Sequence, residues 1–396
     1  MCKATFVIKG GGFSPIFLLS LTNVKYFFVF FAFFATYSCA LGQKSEQYYF
    51  ELNGTINADS GILSLNFFSE FTPSDIKELH TQVHNKKFSL SGYISEPQGV
   101  FILFDNRYMS QDFILDKGVQ TITINVDSTQ NMPAVNNLIM KNEYPIYSDF
   151  FKEVANKKEL FYQKSDSLEA LYDYILPEEI KLNLSKEHDF LVEESDELLL
   201  KYSKENPNSY IALWKLIRLM SWGYEPIFDS IYNALSSEIK NEYAGKVLQE
   251  KLKYGKLLSV GSTFPMLQCI SNKNEPFSLD VFAKNEFTLV DFWYSSCGPC
   301  RAQFESLKCL YKQYSTKGFE IVGISIDNNN DRKKLEKVII DNELSWLQYW
   351  DINGKETHKL SIHTFPTNFL VDKTGKIIMK NISMESLKSF LSENIK

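Results

Sequence analysis

Apolar and polar positions alternate along the first third of the chain. Between Gln47 and Val126 the stretches Phe50-Glu51-Leu52-Asn53-Gly54, Phe88-Ser89-Leu90-Ser91-Gly92 and Thr121-Ile122-Thr123-Ile124-Asn125-Val126 change sign every residue, and Val100 to Phe104 adds an apolar run. Turn residues separate them, so each reads as a strand with one buried and one solvated face. Residues 43–145 are therefore expected to form an all-β domain, a small sandwich or an open barrel. From about Tyr147 the period lengthens. Leu213, Ile217 and Met220 stand at helical spacing behind Pro207 and the capping pair Asn208-Ser209. Residues 146–256 read as a helical connecting region, a spacer or buttress in which no catalytic cluster is visible. Gly255, Gly261 and Pro265 mark a linker-like boundary beyond it.

Residues 257–396 change pattern again. Strand signals at Phe287 to Trp293, Phe319 to Ile326, Thr367 to Val371 and Lys376 to Met379 interleave with helical ones at Cys300 to Ser315, Asp331 to Asn342 and Met384 to Asn394. That order predicts an α/β domain. In its second helix Leu335, Val338 and Ile339 form the buried stripe. The first strand carries the apolar run Leu289, Val290, Phe292 and Trp293, then leads through Tyr294-Ser295-Ser296 into Cys297-Gly298-Pro299-Cys300. A cysteine at a strand-to-helix turn meets free backbone N–H groups and the positive end of the helix dipole, which favour a thiolate. The second cysteine follows one turn later on the same face, so the two sulfurs can join and part. Asp291 sits one residue before Phe292 in this apolar strand, where a carboxylate is costly unless it stays neutral or has work to do.

These residues resemble the thioredoxin superfamily, in particular its exported TlpA/ResA-type branch of thiol-disulfide oxidoreductases. The likeness spans roughly Val260 to Lys396. It rests on Val290-Asp291-Phe292-Trp293 before the C-x-x-C, on Phe319 to Asp327, and on Phe365-Pro366-Thr367 followed by Asn368 to Lys376. The resemblance implies a redox disulfide between Cys297 and Cys300, a cis Pro366 beside Cys297, and a Phe365 backbone open to an extended substrate. It makes Cys297, Cys300 and Asp291 the catalytic set, with Asp291 taking the proton of the second cysteine. Trp293, Gly298, Pro299, Phe365 and Pro366 become the substrate face. ResA-like relatives use an upstream Glu for the proton, whereas the nearest counterpart here is Ser278. Two further departures are Ser296, where thioredoxins usually carry Trp, and Glu305, where many carry a kinking Pro. The 43–145 region also looks like the β-rich domain of unknown role found ahead of such modules.

Composition narrows the remaining choices. The 42 basic and 48 acidic residues give no basic stripe, so nucleic acid is not an expected partner. Met1 to Ser45 lacks Asp and Glu, and Tyr26 to Gly42 is a charge-free, Phe-rich run preceded by Lys25, Lys9 and Lys3. It reads as an export signal, residues 1–42, cleaved before Gln43. A lipoprotein anchored at Cys39 and an uncleaved membrane anchor are the alternatives. The expected location is thus the periplasm or cell envelope. Of six cysteines, Cys269, Cys297, Cys300 and Cys309 remain in the mature part, too few for a disulfide scaffold. Cys309 lies about 180° around the helix from Cys300, and Cys269 falls in an apolar stretch, so both are read as structural.

His80 and His84 stand at i and i+4 on a segment that could be helical, but the metalloprotease pattern is absent and no metal site is read from them. Arg301 is read as a solvated residue of the first turn, and His363 lies near Pro366. The sequence expectation is an exported oxidoreductase that reduces protein or small-molecule disulfides without a cofactor and draws electrons from a membrane-linked thiol donor. The alternatives are a thiol peroxidase of the same fold, whose Pro and Thr/Ser positions here hold Val290 and Tyr294, and an envelope-binding module with an accessory redox domain.

Overall fold

A computed structural model describes residues 46–395, apart from 74–75, 129–130, 173–175 and 272. The expected signal segment, with Cys39, lies outside the described residues. Among the described residues no helix is long and apolar enough to cross a membrane.

The alternating stretches form strands β1 (Tyr48–Ile56), β2 (Ser60–Phe67), β3 (Glu78–His84), β4 (Lys87–Ile94), β5 (Gln98–Phe104), β6 (Tyr108–Met109), β7 (Phe113–Leu115), β8 (Gly118–Ile124) and β9 (Ala134–Asn136). They make one sheet in the order β6-β5-β2-β3-β4-β1-β8-β9, with β7 also on β5. Neighbours are antiparallel except β1 and β8, which run parallel. Period two does the sorting: Phe50, Leu52 and Ile56 are buried while Tyr49 and Thr55 face solvent. His80 and His84 lie on β3, which corrects the helical placement. In an extended strand they stand about 13 Å apart, and His80 instead meets Glu78 at 3.3 Å.

Helices α1 (Leu138–Leu171), α2 (Glu178–Glu205), α3 (Tyr210–Met220), α4 (Pro226–Ala234), α5 (Ser237–Asn241) and α6 (Tyr243–Gly255) follow. Ser209 caps α3 by accepting from the Ala212 N–H at 3.1 Å. Leu213, Ile217 and Met220 are buried on it. This region is more than a spacer, because α3 and α6 complete the hydrophobic core of the sheet. Trp214 packs in one cluster with Phe50, Leu52, Val100 and Phe113, joined by Leu248 and Leu252. Its ring lies so close to β5 that a Cβ on Gly99 would come within 2.5 Å of it. Arg218 forks onto Asp112 at 2.9 and 2.5 Å. Buried Glu96 accepts from the N–H groups of Tyr243 and Ala244 at the start of α6, at 2.7 and 2.9 Å. The helix α1 and helix α2 pair carries its own small core of Phe161, Leu184 and Leu191.

The C-terminal domain contains β10 (Ile270–Ser271), α7 (Asp280–Ala283), β11 (Phe287–Trp293), α8 (Gly298–Tyr314), β12 (Phe319–Ser325), α9 (Arg332–Asp341), β13 (Leu347–Trp350), α10 (Lys355–Lys359), β14 (Thr367–Asp372), β15 (Ile377–Lys380) and α11 (Met384–Asn394). Sheet order is β10-β13-β12-β11-β14-β15, with β11, β12 and β13 parallel and β14 and β15 antiparallel. Strand β13 lies outside the strand signals of the sequence, and β10 only touches the apolar stretch that holds Cys269. The central strand buries both faces. Leu289 and Trp293 pack with Phe304 and Leu307 of α8 and Leu387 of α11, while Val290 and Phe292 pack with Phe264, Phe277 and Phe369 on the other side. The glycine-marked boundary is fastened rather than loose: Gly261 donates to the Ile377 carbonyl at 2.7 Å and Phe264 to that of Gly375 at 2.8 Å.

Candidate functional site

Central strand β11 ends at Trp293, and the chain turns through Tyr294-Ser295-Ser296 before α8 begins. The turn closes when the Cys297 N–H donates to the Tyr294 carbonyl at 3.0 Å. Cys297 is the N-cap of α8, its sulfur accepting from the Cys300 N–H at 3.1 Å, and Pro299 occupies the first turn, where its missing N–H costs nothing. A sulfur at that position receives the helix N-terminus directly, which stabilises the thiolate as leaving group and nucleophile. Cys297 and Cys300 are joined in a disulfide with Cα atoms 5.3 Å apart. Both cysteines are buried, while Gly298, Pro299 and Ser296 are exposed around them.

The turn before Cys297 is held from below by Asp327, which sequence reading had treated only as the end of a strand. Its buried carboxylate accepts from the Ser295 N–H at 2.9 Å, the Ser295 hydroxyl at 2.5 Å and the Ser325 hydroxyl at 2.7 Å. Trp350 of β13 donates its indole N–H to the Asp327 carbonyl at 2.7 Å. Four groups from three elements thus fix the loop that aims Cys297. No local signal could have shown this, because Ser295, Asp327 and Trp350 are far apart in sequence. Lys334 of α9 hydrogen-bonds the Ser296 hydroxyl, which brings an ammonium to the residue preceding Cys297. Arg301 is exposed on the first turn of α8.

Asp291 is 4% exposed, and its Oδ1 has no hydrogen-bond partner. Burial pushes its carboxyl up from the ordinary value of 3.8 to about 7. Side chains on a strand alternate, so Asp291 shares a face with Leu289 and Trp293. Those two pack in the cluster that also holds Cys297, Cys300 and Phe304. The carboxyl therefore belongs to the α8 side of the sheet, the side whose core includes the dithiol.

The Phe365–Pro366 peptide is cis, and the Phe365 ring meets Tyr294 edge-on at 5.6 Å, which brings the segment before β14 to the turn before Cys297. Phe365 and Pro366 are half-buried. Trp293 is 1% exposed, as Cys297 and Cys300 are, and stands edge-on to Phe304 at 5.4 Å beneath the helix. Cys269 is buried and free, its thiol pushed up mainly by burial, and Cys309 is free and exposed; neither joins the pair.

Residues 259–390 match the Redoxin family, and residues 50–141 match a domain of unknown function, DUF4369. The thiol-disulfide oxidoreductase ResA of Oceanobacillus iheyensis is 24% identical over 144 residues, 35% of this chain and 74% of that protein. ResA of Bacillus thuringiensis subsp. konkukian is 27% identical over 139 residues, 35% of this chain and 78% of its own. The crystal structure of the thioredoxin domain of a thiol-disulfide oxidoreductase from Bacteroides vulgatus is 30% identical and matches 35% of this chain and 99% of that domain, with a TM-score of 0.32. The chain belongs to the TlpA/ResA-type thiol-disulfide oxidoreductases. As such an oxidoreductase it works on disulfides, with Cys297 and Cys300 as its close pair. The likeness to these three relatives covers about the C-terminal third.

Proposed function

We propose that this oxidoreductase is exported to the periplasm or cell envelope and reduces disulfides there. The Cys297 thiolate attacks one sulfur of the substrate disulfide; the other substrate sulfur leaves as a thiolate and takes a proton from water. Cys300 then gives its proton to the ionised form of Asp291, attacks Cys297, and expels the second substrate sulfur as a thiolate, which takes a proton in its turn. Two electrons pass to the substrate, and the Cys297–Cys300 disulfide is left. A membrane-linked thiol donor returns it to the dithiol. Exposed Gly298 and Pro299, with Phe365 and Pro366 across from them, make the substrate face. In this reading residues 1–42 are a cleaved signal, 43–145 the β domain, 146–256 the helical region and 257–396 the redox domain.

The observation that carries the reading is the buried carboxyl of Asp291, its Oδ1 without a partner and its pKa raised to about 7, on the same side of the sheet as the buried pair. A carboxyl with a pKa near 7 can take a thiol proton and return it at neutral pH, which an ordinary carboxylate does poorly. The test is a Cys300→Ser variant, which should accumulate mixed disulfides through Cys297 in the envelope fraction, while Cys297→Ser should trap nothing and reduce nothing. Disulfide reduction surviving in Cys297→Ser would end the proposal, and trapping confined to the cytosol would end its exported half.

A further inference from the structure

Glu70, His358 and His363 are scattered in sequence and meet in space. Glu70 lies in the single helical turn Ser69–Phe71 after β2, His358 on α10, and His363 in the segment three residues ahead of cis-Pro366. One ligand atom from each comes within 4.8 Å of the other two. Glu70 Oε1 is 3.6 Å from His358 Nδ1, and the two imidazole centroids are 6.0 Å apart. Zinc bound at 2.0–2.2 Å to two nitrogens and an oxygen holds its donors roughly 3.3 Å apart, so one pair is nearly set and the third needs no more than about 1.5 Å of side-chain adjustment. We propose that Glu70, His358 and His363 form a divalent transition-metal site of the zinc class, tying the N-terminal sheet domain to the segment that leads into cis-Pro366.

The surroundings suit this assignment. Lys251 of α6 donates to Glu70 Oε2 at 2.6 Å and to the His358 carbonyl at 3.0 Å. It fixes the carboxylate while leaving Oε1 turned toward His358, as an outer partner orients a ligand. Two imidazoles and one carboxylate are the borderline donors that zinc, cobalt and copper(II) prefer over calcium or magnesium. Glu70 and His358 are exposed, so water reaches the remaining coordination positions. The nearby ammonium opposes a dication, which makes the site exchangeable rather than a permanent staple. None of the three side chains belongs to the dithiol machinery.

The test uses the full chain with Cys297–Cys300 oxidised and Cys309→Ser, so that no free thiol at the surface competes. Zn2+ is titrated by calorimetry and Co2+ by its visible absorption. One metal per chain is expected, with the cobalt band showing nitrogen and oxygen ligation. His358→Ala and His363→Ala should each weaken binding at least about tenfold, the scale of losing even an outer partner. Glu70→Gln, which keeps the shape and the contact with Lys251, should weaken it similarly. Zn2+ should raise the melting temperature of the parent and not of these variants, and the double variant His80→Ala/His84→Ala should bind as the parent does. Absence of binding at millimolar Zn2+, or unchanged affinity in His358→Ala or His363→Ala, would overturn the assignment.

Discussion

Replacing Asp291 with Asn removes a titratable group without changing its shape, and two opposite effects should follow. In the folded oxidised protein the carboxyl titrates at about 7 because burial disfavours its charge, against 3.8 in the ordinary state. Between these values the native state holds a proton that the unfolded chain has released. The associated stability is complete below about pH 3.8 and is lost as pH rises through 7. At 1.36 kcal/mol for each tenfold change in proton affinity, the loss is roughly 4 kcal/mol. Asn carries no such cost. Asp291→Asn should therefore match the parent near pH 4 and exceed it by up to roughly 4 kcal/mol at pH 8, while reducing disulfides on the order of 100-fold more slowly through loss of the proton acceptor. The assay is denaturant unfolding of both oxidised proteins from pH 4 to 8. The difference between them cancels Glu96 and Asp196, whose carboxyls burial also raises, to about 7 and about 6. A carboxyl carbon-13 titration of Asp291 gives the pKa directly. A stability difference that stays flat across this range, or a titration midpoint near 4, would refute the reasoning.

Three further outcomes follow from the same contacts. Asp327→Ala strands the donors of Ser295 and Ser325 in the interior, at about 1–3 kcal/mol for each unmade bond; the melting temperature should fall and the reactivity of Cys297 toward an alkylating agent should change with it. Lys334→Ala removes a surface cation worth about 0.2–1 kcal/mol, so the pH midpoint for Cys297 alkylation in the reduced protein should rise by less than about one unit. Trp214→Ala should cost about 3–5 kcal/mol in the shared core of the sheet and helices, read by calorimetry, and a melting profile unchanged from the parent would deny that the two regions fold as one body.

That last contact also bears on how the chain divides. Residues 43–145 and 146–256 differ in period, and the sequence separates them for that reason. Yet Trp214, Leu248 and Leu252 fill the core beneath Phe50 and Val100, and Glu96 caps α6. Deleting residues 47–144 would strip α3 and α6 of the surface they are folded against. Period shows the type of an element, whereas the partner of its buried face depends on contacts between residues more than a hundred positions apart.

The dithiol was legible because its chemistry is local: a buried strand, a tight turn and two cysteines one helical turn apart lie within fourteen residues, and Cys297 caps its helix as that spacing requires. The strand alternation of β1 and the capped stripe of α3 were legible for the same reason. The sequence alone placed Asp291 in an apolar strand, but only the sheet, buried on both faces by Phe304 on one side and Phe369 on the other, raises its carboxyl to about 7. Tertiary structure alone turned Trp293 inward, set Asp327 under the Cys297 turn, and drew Glu70 toward His358 and His363 across nearly 300 residues. Backbone geometry and hydrophobic period act over a few residues and can be read along a chain. Desolvation and convergence of polar groups depend on what the folded chain lays against them.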